Sequence, residues 1–393
     1  MITREDIREL AQFRCTRRED SAVSFYFEPH SPQNKSHREE AILAKDLVRN
    51  AQREAEKNGK NGSTRSDLNR ILELAEGLRG NQARAKAVFS CGSNNWWREF
   101  DLPSQLPGTQ LFVSDQFHLK PLATLLAAQP DLCVILVDRQ KARFFDLRLN
   151  ELKERAGMFR ALPARQGRGD GYNGYDAGHA ERRVDDEALH HFKNVAEHLS
   201  EALEKGWFEK LIVGCHETSW RELEAQLHPY VKKRMLGRFS ADVGKMANEK
   251  IREHASRIVQ QALDQRCHKL AAEAISQAKS NRHGVTGLRR VLRSLELGEV
   301  QTLLIGEKFS HLAAQCIACG HIDAHMVQFC ATCGGETREI ADVTDAIIPA
   351  VIRRDTELVY VKDNPEFDRA GNIAALLRFR ADQSKGRRLR ATS

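Results

Sequence analysis

The sequence has no apolar run of about 18 residues or more, the length that a spanning helix needs, so no membrane segment is expected. Its start, Met1-Ile2-Thr3-Arg4-Glu5-Asp6, lacks the apolar core of a secretory signal, and a cytoplasmic protein is expected. No internal repeat is present, which excludes a stacked-repeat architecture. Strong charge of one sign is also missing. The formal net charge is +7, because 61 Lys and Arg are set against 54 Asp and Glu. Such a chain touches a polyanion through local patches and does not coat it. Disulfides have little place in that compartment. Of the nine cysteines, Cys15, Cys91, Cys133, Cys215 and Cys267 stand singly, Cys133 inside the apolar run Leu132-Cys133-Val134-Ile135. They read as small buried hydrophobes.

The 393 residues exceed one ordinary core, and two to three domains are expected. Strand patterns at 22–27 and 85–89 enclose helical patterns at 38–56 and from 66 onward. A second block opens with the buried strand 132–137, a turn at 138–141 and a hairpin partner at 142–147. A patterned helix follows from Asp185, with Leu189, Phe192, Val195, Ala196, Leu199 and Leu203 on one face, and then a strand at 211–214. A basic helical stretch over 242–280 precedes a third block, with a helix at 287–297 and strands at 300–305, 358–361 and 374–380. The fold class is therefore α/β (α+β), in three α/β domains spanning 1–127, 128–272 and 273–393. The tail holding Lys385, Arg387, Arg388 and Arg390 reads as disordered.

Cys316-Ile317-Ala318-Cys319-Gly320 and Cys330-Ala331-Thr332-Cys333-Gly334 are two Cys-x-x-Cys-Gly knuckles, with ten residues between Cys319 and Cys330. Each knuckle aims two thiolates at one point, and two knuckles make a four-cysteine zinc ribbon over 316–334. Four protein ligands leave no open position, so one Zn2+ here is structural. A redox dithiol and a metal-free ribbon are the alternatives. His311, His321 and His325 lie nearby and read as ordinary surface histidines.

Between residues 157 and 183 apolar periodicity stops, and six glycines and five arginines appear. The core of this segment is Leu162-Pro163-Ala164-Arg165-Gln166-Gly167-Arg168-Gly169-Asp170-Gly171. Glycines permit close approach to a partner and arginines suit phosphates, although a flexible linker has the same composition. Tyr172 and Tyr175 suit stacking on unpaired bases or packing within the loop. The run His228 to Arg238, with Lys232, Lys233, Arg234 and Arg238, is a candidate RNA contact or a solvated helix face. Trp96-Trp97 is either a local core anchor or an exposed stacking pair.

Leu-Pro-x-x-x-Gly-Arg-Gly at 162–169 resembles the middle-domain loop of archaeal and eukaryotic class I peptide release factors, Leu-Pro-Lys-Lys-His-Gly-Arg-Gly-Gly-Gln. Further fragments of the release factor and pelota superfamily follow in order along the chain. Val23-Ser24-Phe25 resembles its opening strand. Ser63-Thr64-Arg65-Ser66 falls where the family has Asn-Ile-Lys-Ser. Phe112-Val113-Ser114-Asp115-Gln116-Phe117-His118 falls at its Tyr-x-Cys-x-x-x-Phe-His motif. Leu295 to Val300 and Gly371 to Arg380 resemble two segments of its C-terminal domain.

The resemblance implies three domains in release-factor order, with a tip loop over 157–184 that enters the peptidyl-transferase centre. The loop residues are Arg165, Gly167, Arg168, Gly169, Asp170 and Gly171; those on the decoding side are Arg65, Ser66, Phe112, Ser114 and Phe117. Three departures bear on function. Gly169-Asp170-Gly171 replaces Gly-Gly-Gln, so the glutamine amide that helps water attack the peptidyl ester is absent. The decoding motif is one residue shorter and has Phe112 and Ser114 in place of Tyr and Cys. Ser63-Thr64-Arg65 replaces Asn-Ile-Lys, leaving a charge suited to phosphate but not to base edges. The scaffold without its chemistry resembles pelota and bacterial hibernation factors of the Balon type. It implies a binding protein of the ribosomal A site, with rRNA, tRNA, and elongation factor Tu or another translational GTPase as partners. The alternative is a peptidyl-tRNA hydrolase acting through Gly169 to Gly171, aided by His179.

Overall fold

The computed structural model describes the chain except residues 1, 3, 14, 16–20, 29–36, 58–62, 78–84, 93–94, 103–105, 107, 128–130, 149–150, 160–173 and 382–393. Its first element is α1 (Arg4–Gln12), in which Ile7, Leu10 and Ala11 recur at helical spacing and are buried. β1 (Ala22–Phe27) is buried at all six positions, so it must be covered on both faces. Helices α2 (His37–Lys57) and α3 (Ser63–Gly77) cover one of them. There Val23, Phe25 and Phe27 meet Ala44, Val48, Leu68, Ile71 and Ala75. β2 (Ala85–Cys91), β3 (Trp96–Leu102) and β4 (Gln110–Ser114) complete an antiparallel sheet of order β3-β2-β1-β4. Tyr26, Ala87 and Phe89 point to the face away from α2 and α3, as the two-residue period requires. α4 (Lys120–Ala127) follows.

The middle block is built on β5 (Leu132–Val137), which lies inside a five-stranded sheet. It pairs with β6 (Lys141–Arg148) through a tight hairpin. The Asp138 carboxylate holds that turn by accepting from the Gln140 and Lys141 N–H groups, at 2.8 and 2.7 Å. β7 (Glu151–Phe159) continues the meander. Next come α5 (Gly174–Glu204), β8 (Lys210–Gly214), α6 (Glu217–Gln226), α7 (Pro229–Arg234) and the edge strand β9 (Met235–Phe239). β8 lies parallel to β5 on one side and to β9 on the other. Cys133, Ile135 and Val137 face α5, α6 and α7, while Leu132, Val134 and Leu136 face Ile251, Ala255 and Val259 of α8 (Asn248–Lys279). Burial on both faces explains why this strand is an unbroken apolar run.

The last block holds β10 (Gly284–Thr286), α9 (Leu288–Glu296), β11 (Val300–Gly306), β12 (Ala313–Cys316), β13 (Ile322–Asp323) and β14 (Thr337–Ile340). α10 (Val343–Arg353), β15 (Glu357–Val361), α11 (Pro365–Arg369) and β16 (Ile373–Leu377) close it. Its strands form two sheets, β10-β16-β11-β15 and the small β13-β12-β14.

Residues 1–128 and 266–393 make one compact unit and residues 129–265 another. The union of the first and last blocks comes from a shared apolar cluster. Leu10, Phe89, Phe117 and Leu122 of the first block pack in it with Val291, Leu303, Ile347 and Val351 of the last. Ion pairs add to this joint: Lys120 meets Asp342 at 2.8 Å and Arg338 meets Asp115 at 2.8 Å.

The structure revises several element boundaries. Of the loop expected over 157–184, residues 157–159 belong to β7 and residues from Gly174 onward to α5. Leu189, expected on the core face of α5, is 37% exposed, and Ala188 is buried instead. The last strand ends at Leu377, and residues 378–380 lie outside it. Of the five single cysteines, Cys91, Cys133 and Cys215 are buried, and Cys15 and Cys267 half-buried. Burial pushes the Cys133 thiol up to about 12 and that of Cys215 to about 11, which keeps both protonated and unreactive.

Candidate functional site

The two cysteine knuckles sit at the end of β12 and in the turn before β14. Hydrogen bonds fold the intervening chain back on itself, from Ile317 N–H to Glu336 O (3.0 Å), Cys330 N–H to Gly335 O (2.8 Å) and Thr337 N–H to Gln328 O (3.0 Å). The glycine after each knuckle, Gly320 and Gly334, has φ of +75° and +72°, a left-handed turn that glycine adopts without steric cost. The result brings four sulfurs together. Cys316 Sγ is 3.4 Å from Cys333 Sγ, Cys319 Sγ is 3.6 Å from Cys330 Sγ, and Cys333 Sγ is 3.4 Å from Cys319 Sγ. All four lie within 4.8 Å of one another.

These distances suit a metal. Four sulfurs at about 2.3 Å from a tetrahedral ion stand about 3.8 Å apart. They are far too long for disulfides, whose sulfurs are about 2.05 Å apart. Two further observations fit a metal cradle. A Cβ at Gly335 would stand 3.4 Å from the sulfurs of Cys316 and Cys333 and 3.2 Å from the Ala318 methyl, so the position has no room to spare. Backbone N–H groups of Cys319 and Thr332 also point at the sulfurs of Cys316 and Cys330, at 3.4 and 3.3 Å. The Cys319 N–H is the main reason the Cys316 thiol is lowered to about 6. An N–H from His321 draws Cys319 down as well. Sharing hydrogen bonds with Cys333, burial, and contacts with Cys316 and Cys330 outweigh it and push Cys319 up to about 12. The cluster therefore holds thiolate and thiol together, and a cation would release the remaining protons. His321 pairs with Glu296 and His325 with Asp323, so both rings are engaged away from the sulfurs.

The residues expected on the decoding side do not converge. Arg65 and Ser66 are exposed on α3, where Arg65 lies 3.9 Å from Glu56 with both side chains more than half exposed. α3 packs on the Val23–Phe25 face of the sheet. Phe112 is on the other face, stacked on the His118 ring at 3.6 Å, and His118 meets Asp345 at 3.1 Å. Ser114 is exposed and donates to Asp115 at 3.0 Å. Phe117 is 2% exposed, with ring centroids of Phe13, Trp96 and Phe89 at 4.6, 5.0 and 5.3 Å. A ring enclosed this way fixes the fold and is closed to a ligand, so its place on a binding surface is corrected. Trp96 belongs to the same cluster and is an anchor. Arg70 lies over Trp97 at 3.9 Å.

Arg165, Gly167, Arg168, Gly169, Asp170 and Gly171 fall in 160–173, outside the described residues, as does Tyr172. Lys232, Lys233 and Arg234 are exposed on α7. Arg238 is not available in the same way. Its guanidinium meets Glu217 at 2.6 Å and lies over Trp220 at 5.2 Å. Sequence reasoning missed Tyr230, whose 67% exposure only the structure reveals. Among the described residues no helix is long and apolar enough to cross a membrane.

Residues 118–267 match the family model described as "Bacterial archaeo-eukaryotic release factor family 10". The chain is also 25% identical over 309 residues to peptide chain release factor subunit 1 of Thermococcus onnurineus, covering 71% of this chain and 74% of that protein. Over these spans the chain is similar to archaeal peptide chain release factors. The family-model match spans β5 to β9 and most of α8. Peptide chain release factor subunit 1 of Pyrococcus abyssi is 26% identical over the same length and the same shares of both chains. Solved structures are similar at a greater distance. An archaeal translation termination factor has 16% identity and a TM-score of 0.26, with 96% of this chain and 99% of that chain covered. Pelota from Archaeoglobus fulgidus has 13% identity and a TM-score of 0.34, covering 77% and 81%.

Proposed function

We propose that this chain is a ribosome-binding translation factor that occupies the A site of idle or stalled ribosomes without codon-specific peptide release. The supporting observation is that a chain similar to peptide release factors over 71% of its length carries Gly169-Asp170-Gly171 where the release-factor loop it resembles reads Gly-Gly-Gln. Glycine at position 171 has no amide to orient water, and the Asp170 carboxylate would be repelled by surrounding phosphates. Positions 63–65 and 112–117 lack the groups that read a stop codon, and Phe117 is internal.

In this reading Cys316, Cys319, Cys330 and Cys333 hold one structural Zn2+, which clips the ribbon together. Arg338 of β14 then holds Asp115 in the first block. The accompanying GTPase is elongation factor Tu or another translational GTPase. Cytoplasmic residence follows from the same role.

The test is sedimentation with 70S ribosomes at near-physiological salt. Co-sedimentation with vacant ribosomes, blocked by tRNA in the A site, is expected. Failure to sediment, or sedimentation indifferent to A-site occupancy, would overturn the proposal.

A further inference from the structure

Helix α7 gathers, in a little over one turn, features that the release-factor likeness does not assign. Its backbone is fixed before any partner arrives. Pro229 opens the helix, the His228 ring accepts from the Tyr230 N–H at 3.4 Å, and Val231 is 1% exposed in the core beneath. Tyr230, by contrast, is 67% exposed. Its ring lies 5.1 Å from that of His228 at an interplanar angle of 30°, and the Lys233 ammonium is 5.7 Å from its centre. Lys232, Lys233 and Arg234 are exposed, and among the described residues none of the three forms an ion pair. Arg238, only four positions on, pairs with Glu217. The contrast isolates three cations without ion pairs among the described residues, on the short helix that carries an exposed aromatic ring, with Lys233 beside that ring.

Exposed rings normally cost solubility, and three adjacent cations repel one another. A ligand with flat π-faces joined by anionic links relieves both. Bases stack on aromatic rings whatever their identity, and the phosphates between them meet the cations. We propose that α7 is a contact site for single-stranded RNA, with an unpaired base stacked at Tyr230 and the adjoining phosphates met by Lys232, Lys233 and Arg234. Only the source of that RNA, an unpaired segment of the ribosome, rests on the function proposed above.

The experiment uses the full chain and a fluorescent, unstructured ten-nucleotide RNA, titrated at several salt concentrations beside 70S co-sedimentation. Each cation lost from phosphate contact removes about 0.7 from the log–log salt slope on single strands, so K232A/K233A/R234A lowers the slope by about 2. Tyr230→Ala weakens binding about tenfold with the slope unchanged, and Tyr230→Phe restores it. Arg238→Gln leaves the slope alone. All of these positions are exposed or peripheral, and circular dichroism confirms that each variant is folded. Equal affinity for wild type and Tyr230→Ala, or an unchanged slope in the triple variant, overturns the site. Binding of poly-glutamate with the same dependence on Tyr230 reassigns it to an acidic protein segment and overturns the RNA assignment. Oligonucleotide binding with these signatures but no ribosome co-sedimentation upholds the site and defeats only the ribosomal reading.

Discussion

Removing the proposed Zn2+ should unfold the cysteine ribbon and leave the rest of the protein folded. Between Ile317 and Ile340 the only buried residue is Cys330. Ile317, Met326 and Phe329 face solvent, exposed at 48%, 54% and 63%, while Ile322 packs, half-buried, on the neighbouring core. One buried cysteine and one half-buried Ile contribute about 3 kcal/mol at most, against an apparent 10–16 kcal/mol, roughly, for a four-thiolate Zn2+ site in small zinc peptides. In the proposed reading the cross-link, and not a core, holds the ribbon. The block around it has its own cluster, including Leu303, Ile347 and Val351. Hydrogen exchange read by mass spectrometry, before and after a strong chelator, checks this. Protection should vanish at Ile317, Cys330 and Thr337, whose N–H groups bond across the ribbon. It should persist in β11 and α10. A ribbon that stays protected after complete metal loss would refute the reasoning, and so would cooperative melting of the entire unit.

Other outcomes follow from the same geometry. Phe117→Ala should cost about 3–5 kcal/mol in urea denaturation, because it empties the centre of the Phe13, Trp96 and Phe89 cluster, whereas Arg65→Ala should stay within about 0.5 kcal/mol. Burial pushes the Asp115 carboxyl up, but the hydrogen bond and charge of Arg338 outweigh it and hold the group below its usual value. The contribution is thus fully present above the unfolded value of about 3.9 and lost as pH falls through the lower folded value. Arg338→Ala should accordingly cost no more than about 1 kcal/mol at pH 7, since both side chains are over a third exposed, and the gap from wild type should narrow below pH 4. Gly335→Ala should weaken metal retention in a chelator competition, because its methyl meets two of the four sulfurs.

Much of this architecture could be read from the chain, for identifiable reasons. β5 is an apolar run flanked by turn residues, and its hairpin with β6 rests on Asp138, a turn former whose neighbours are polar. The cysteine knuckles carry their geometry in their spacing. What escaped was decided by partners remote in sequence. β3 and β7 are edge strands: Arg98 interrupts the Trp96, Phe100 and Leu102 face of β3, and Glu151, Lys153, Glu154 and Arg155 crowd β7, so neither shows a clean alternation. α5 starts at Gly174 and includes Gly178, residues with poor helix propensity, and its beginning was hidden by them. Phe117 sits in a motif that resembles a codon reader, yet Phe13, Phe89 and Trp96 enclose it, each from a different segment. Tyr230 shows the converse: an aromatic two residues before Lys232 is indistinguishable from a core residue until its exposure is known.

The central claim is occupation of the A site with the peptidyl ester left whole. It is tested most directly on stalled 70S ribosomes carrying labelled peptidyl-tRNA and an empty A site, by following peptide release while binding is scored in parallel. The account predicts saturable binding with release no faster than in buffer, for wild type and for variants at Gly169, Asp170 and Gly171 alike. Rapid release that disappears when those three positions are altered would contradict it and make the protein a hydrolase.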